Sequence, residues 1–162
     1  MSAASVASSA EFIMVASEIL GPLKVAQQDI ITFPHGVFGF PECRSFALLP
    51  TPREGIYWLQ SVEFSALAFL LVDPFLYFPG HYQIELAQVD LQRIGTRDPK
   101  DILVLAIVTM PRKKGEPATA NLQAPLMFNV GIRAAYQSLR PDDGFDIREA
   151  FDIDLLVPEK TA

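Results

Sequence analysis

The sequence predicts a single, mainly β domain carrying one or two short helices. Three observations carry that prediction. Short apolar runs recur at close spacing, most of them bounded by glycine or proline. Thirteen prolines are scattered through those runs, and proline in a helix interior costs about 3 kcal/mol, so a helical bundle is disfavoured. Twelve phenylalanines in a chain of 162 residues supply bulky apolar groups for one core of ordinary size.

The elements follow in order. Residues 1–17 begin with a Ser- and Ala-rich stretch and read as a flexible N-terminal tail, followed by a domain over 18–158 and a short C-terminal tail over 159–162. Strands are expected at 19–25, 30–33, 45–49, 56–62, 66–72, 82–86, 102–110 and 126–129. Several of these are continuous apolar runs, as in strands covered on both faces or lining a closed barrel. The dipeptide Asp73-Pro74 is the sharpest stop, because the residue before proline is pushed out of the α region. Leu86, Val89, Leu91 and Ile94 have the spacing of a short amphipathic helix, with Gly95 placed as its C-terminal cap. Residues 131–139 fit a second helix or a strand folded back on 126–129 through Val130-Gly131, and the strand is preferred. The basic run Arg112-Lys113-Lys114 sits in a polar break and reads as a solvated hairpin loop.

Composition limits the function classes. A net charge of −6 opposes direct contact with phosphate backbones, so nucleic-acid binding is not expected. The longest purely apolar run, 66–72, is far short of the ~20 residues of a membrane-spanning helix. No secretory signal pattern opens the chain, and Cys43 stands alone, so a cytoplasmic protein without a disulfide is expected. His35 and His81 lie in separate turns, and with Cys43 they do not form zinc-ligand spacing; no metal or other cofactor is expected. There is no nucleophile elbow and no phosphate-binding glycine loop. The best available polar set for an enzyme or ligand carrier is Glu63, Asp73 and His81. Its simpler reading is architectural, with Asp73 bonding backbone at its turn and Glu63 capping a strand end.

Two segments favour contacts over chemistry. The stretch Phe33-Pro34-His35-Gly36-Val37-Phe38-Gly39-Phe40-Pro41 places three phenylalanines among turn formers, either folded into the core or displayed as an apolar docking patch. Beyond residue 141 the chain becomes acidic, with Asp142, Asp143, Asp146, Glu149, Asp152, Asp154 and Glu159 against the single Arg148 up to that point. Apolar residues interleave with these charges. The segment is either a solvated edge or a docking strip for a basic partner.

Several stretches together resemble the flagellar assembly factor FliW family. They are Asp29-Ile-Ile-Thr-Phe-Pro34 with Gly36 and Gly39-Phe40, then Trp58-Leu-Gln-Ser-Val-Glu63. Phe69-Leu-Leu-Val-Asp-Pro-Phe75 continues into Tyr77-Phe-Pro-Gly80. Val104-Leu-Ala-Ile-Val-Thr109 and Thr119-Ala-Asn-Leu-Gln-Ala-Pro125 with Asn129 complete the set. The resemblance covers about residues 19–157 and is looser after Asn129. It implies an antiparallel β-barrel-like domain without catalysis. It also implies binding of flagellin and antagonism of CsrA, an RNA-binding repressor of flagellin translation, so that one partner is exchanged for the other. On that basis Phe33, Phe38, Phe40 and Gln60 are assigned to flagellin, and Asp142, Asp143, Asp146 and Glu149 to CsrA.

Overall fold

A computed structural model describes residues 11–152 of the chain. The strands are β1 (Phe12–Val15), β2 (Leu23–Ala26), β3 (Ile30–Thr32), β4 (Ser45–Pro50), β5 (Ile56–Ser61) and β6 (Ala68–Val72), then β7 (Ile102–Thr109), β8 (Ala118–Ala120), β9 (Leu126–Asn129), β10 (Ala134–Gln137) and β11 (Glu149–Phe151). Two short helices, α1 (Pro74–Tyr77) and α2 (Gln88–Ile94), lie between β6 and β7.

The main sheet runs β11-β8-β7-β6-β5-β4-β3-β10-β9, and β9 also pairs with β7. Seven strands, β3 to β7 with β9 and β10, thereby close into a barrel. β7 makes closure possible because it is long. Its first half, Ile102 to Leu105, pairs with β9, while Val108 and Thr109 pair with β8. Every neighbouring pair in the sheet is antiparallel except β10 with β3.

Alternation along each strand sorts side chains into layers. Phe46, Leu59, Leu71, Leu105, Leu126, Phe128 and Ala135 point inward and form the barrel interior with Phe33. Their sequence neighbours Val72, Val104, Ala106, Met127 and Tyr136 point outward, under a cover made by α1, α2 and the β8–β11 pair. Ala47 and Leu49 face outward on the opposite side, beneath the β1–β2 hairpin. Both faces are covered, which is why these strands read as continuous apolar runs and not as alternating ones.

Several expectations need correction. The tail expected over 1–17 includes β1, whose Phe12 to Val15 pair with Ala26 to Leu23. Val15 is buried there against Val25 and Ala47. The strand expected at 19–25 forms only from Leu23, as Leu23–Ala26; Ser17 Oγ accepts from the Ile19 and Leu20 N–H groups and turns the chain ahead of it. Residues 82–86 form no strand. Tyr82, Ile84 and Leu86 alternate inward toward the outer core, but the backbone meets no neighbouring strand among the described residues. Alternation reports one buried face, not a hydrogen-bonded neighbour. The helix at 86–94 is present, with Gly95 at φ +79° as its cap, and 134–137 is the strand that folds back on β9. The proposed C-terminal tail, Asp154 and Glu159 lie outside the described residues.

Candidate docking surface

The loop between β3 and β4 is built to hold two aromatic rings in different environments. Phe33 is fully buried, with its ring edge-on to Phe46 at 5.2 Å and to Phe128 at 5.7 Å. Gly36 then turns the chain at φ +69°, and a Cβ there would stand 2.7 Å from the Pro41 Cα. The two ends of the loop therefore touch, and only glycine fits. Phe40 N–H donates to Val37 C=O at 2.7 Å, and Cys43 N–H donates to Phe40 C=O at 3.1 Å. Gln137, from β10, accepts the Phe38 N–H at 2.8 Å and donates to Ala124 C=O at 3.1 Å. With its backbone so held, the loop buries Val37 and projects Phe38, which is 76% exposed; Phe40 is 39% exposed and leans edge-on against Phe69 at 5.8 Å.

Clefts flank this ridge on both sides. One, of about 500 Å³, lies between Phe38 and β10 and is bordered by His35, Arg93 and Leu139. The other, also about 500 Å³, lies between Phe40 and the β5–β6 turn and is bordered by Phe64 and Glu42. Phe64 is exposed, and so is Leu139. An aromatic pair on a braced backbone between two clefts has the anatomy of a protein-binding hot spot, because little conformational freedom is left to lose on docking.

Of the four residues assigned to this surface, Phe38 and Phe40 are displayed and Phe33 and Gln60 are not. Phe33 belongs to the barrel core. Gln60 is fully buried in β5, which has β4 on one side and β6 on the other, so there is no strand edge at that place. Its Nε2 donates to Ser61 C=O at 3.0 Å and bridges the turn carbonyls of Phe64 and Ser65, while its Oε1 has no partner among the described residues. Gln60 therefore shapes the turn that carries Phe64. Phe64, Arg93, Gln137 and Leu139 were not foreseen. Phe64 carries a legible signal, an apolar residue in a polar turn; Gln137 meets Phe38 across 99 positions of sequence and carries none.

The acidic segment is organised by Arg140. Its guanidinium pairs with Asp143 at 2.6 Å and with Asp90 at 3.4 Å, and it also donates to Glu85 C=O and to Ser138 Oγ. Asp90 in turn accepts from Tyr136 OH at 2.8 Å and from Ala87 N–H at 2.9 Å, which ties α2 to β10. Burial pushes the Asp90 carboxyl up, but the bonds from Tyr136, Ala87 and Arg140 outweigh it and hold the pKa below its ordinary value. Burial, with Asp90 beside it, pushes Tyr136 up to about 12. Tyr82 is likewise pushed up to about 12 by burial. Asp143 is thus engaged by Arg140, and Glu149 lies 3.4 Å from His81. Asp142 and Asp146 are exposed and form no ion pair among the described residues.

Glu63, Asp73 and His81 do not converge. Glu63 accepts from Ser45 N–H at 3.2 Å. Asp73 caps α1 by accepting from the Phe75 and Leu76 N–H groups at 2.9 and 3.3 Å. The two carboxylates lie beyond opposite ends of β6, whose five residues alone span roughly 14 Å at the ~3.4 Å rise of a strand. His81 sits on Phe78 and Phe145, facing Glu149. Burial pushes the buried Cys43 thiol up despite its bond with Ser61, which works against a reactive thiolate. Among the described residues no group of three or more His, Cys, Asp or Glu could hold a metal ion, and no helix is long and apolar enough to cross a membrane.

Comparison with known proteins supplies the remaining observation. A family model described as "FliW protein" matches residues 14–151. The chain is similar to the flagellar assembly factor FliW of Treponema denticola, 37% identical over 128 residues, which are 79% of this chain and 86% of that one. It is similar to that of Moorella thermoacetica, 35% identical over 144 residues, 85% and 90% of the two chains. A crystal structure of the flagellar assembly factor FliW superimposes with a TM-score of 0.77 at 32% identity, covering 92% of this chain and all of that one.

Proposed function

The chain belongs to the FliW family, and from that premise we propose that it serves flagellar assembly as a cytoplasmic, non-catalytic binding protein that exchanges two protein partners. Flagellin docks on the ridge formed by Phe38 and Phe40. CsrA docks on the acidic segment around Asp142 and Asp146. While flagellin occupies the protein, CsrA is free to repress flagellin translation; once flagellin is exported, the protein captures CsrA and translation resumes. It therefore acts both as a holder of unassembled flagellin and as a translational regulator.

The observation that carries this reading is Phe38, a ring 76% exposed on a loop whose backbone is fixed by Gly36 and Gln137. Leaving a braced aromatic in water has no architectural benefit, and it suits the amphipathic, unpaired terminal segments of an unassembled filament protein. The exchange needs little energy. Each tenfold change in relative occupancy corresponds to about 1.4 kcal/mol of differential binding. The test is retention of purified monomeric flagellin, and separately of CsrA, at micromolar concentration by the immobilised full chain. Retention of both, with each reducing capture of the other, is expected. If neither is retained, the proposed function is wrong.

A further inference from the structure

The barrel has one weak seam. β3 and β10 run parallel and meet through a single residue pair, Thr32 with Ala134. Thr32 N–H donates to Arg133 C=O at 2.9 Å, after which the chain leaves the sheet at Pro34. β10 continues with no strand beside it on that edge among the described residues. The ladder with β9 fixes where its backbone points. Ser138 N–H donates to Pro125 C=O at 2.9 Å and Arg140 N–H to Gln123 C=O at 2.8 Å, so even-numbered residues bond to the β9 side. Antiparallel pairing alternates, and Gln137 and Leu139 therefore turn their N–H and C=O groups toward the open seam. Neither of these two N–H groups has an acceptor among the described residues.

The space they face is the cleft beside Phe38. Phe38 on one side and Leu139 on the other give it apolar walls, and the polar side chains of His35, Gln137 and Arg93 stand at its border. The Arg93 guanidinium lies 6.0 Å above the Tyr136 ring and forms no ion pair among the described residues. In a chain of net charge −6, this is a cation with no ion-pair partner among the described residues, beside unpaired strand-edge groups.

We propose that this seam is a strand-addition site for an extended segment of the partner that docks on the Phe38 ridge, a segment bearing a carboxylate next to an apolar side chain. Its main chain bonds to Gln137 and Leu139, its apolar side chain seats between Phe38 and Leu139, and its carboxylate pairs with Arg93. A helix does not fit these features, because its own backbone groups are satisfied internally and would leave the β10 edge unbonded. The proposal rests on the reading of this surface as the flagellin site.

The experiment is amide exchange by NMR on the full chain, with and without monomeric flagellin from the same bacterium. The Gln137 and Leu139 amides slow by about tenfold or more on binding, while Ser138 and Arg140, bonded to the β9 side in both states, do not change. In parallel, Arg93→Glu weakens flagellin binding by about tenfold or more, Arg93→Lys stays within about threefold, and raised salt weakens the wild type more than Arg93→Glu. Bound flagellin with no protection at Gln137 and Leu139, or with protection confined to the 36–40 loop, overturns strand addition. Unchanged affinity in Arg93→Glu overturns the carboxylate. If the wild type fails to retain flagellin at all, the functional reading falls and this one with it.

Discussion

Phe33 and Phe38 are five positions apart and serve opposite ends. Phe33 packs on Phe46 and Phe128 inside the barrel, so Phe33→Ala should cost about 3–5 kcal/mol, read from the urea midpoint. Phe38→Asp removes a ring from water, so the thermal midpoint should hold within a few degrees while flagellin retention is lost; a large stability loss would mean that the ring is structural. Asp90 gives a pH signature. Its folded pKa lies below the ordinary carboxylate value, so its stabilisation is present above about pH 4 and is lost as pH falls through the lowered folded value. Asp90→Asn should therefore differ from wild type at pH 7 and converge with it in acid, measured by denaturant midpoints. Tyr136 runs the other way. With its folded pKa raised to about 12, its contribution is complete below about pH 10 and is lost as pH rises through 12, so Tyr136→Phe should flatten the alkaline limb. The loop sequence could not separate the two phenylalanines. Irregular backbone has no period to sort inside from outside, and the hydrogen bond that turns Phe38 outward comes from Gln137.

Secondary structure was legible where an element carried its own punctuation. Asp73-Pro74 both stops β6 and opens α1, because the carboxylate that ends the strand caps the helix. The 3.6-residue spacing before Gly95 identified α2, and the left-handed cap closes it. Three of the shortest elements were missed: β1, β8 and β11 carry no legible pattern, and each is a strand because a partner lies beside it. The β3–β4 loop is the element on which the proposed docking depends. Gly36→Ala should cost more than the ~1–2 kcal/mol of left-handed backbone alone, since the added Cβ meets Pro41 main chain as well. Flagellin affinity should fall further than in Gly39→Ala, where a Cβ meets nothing within 4 Å and the cost is backbone strain only. Comparable affinity in the two variants would show that the loop needs no bracing.

At the scale of the molecule, the acidic segment adjoins the cleft beside the ridge, since Leu139 borders that cleft and Arg140 binds Asp143, and charge distinguishes the two regions. Asp142→Lys with Asp146→Lys should weaken CsrA binding and flatten its dependence on salt without altering flagellin binding. Asp143→Lys should act differently and lower stability, because it places a like charge 2.6 Å from the Arg140 guanidinium. Titrations of each variant with both proteins at two salt concentrations would check this; equal loss of both partners would reject the division of surfaces. Composition, periodicity and turn chemistry by themselves determined a mainly β domain, most of its longer strands, the helix before Gly95 and the concentration of apolar and acidic residues in two segments. Those properties are local, each set by a residue and its near neighbours along the chain. Which residues of those segments reach solvent was decided only by the tertiary structure. Burial of Phe33 and Gln60, exposure of Phe38, engagement of Asp143 and the open edge at β10 all follow from contacts between residues far apart in sequence, and barrel closure alone brings those residues together.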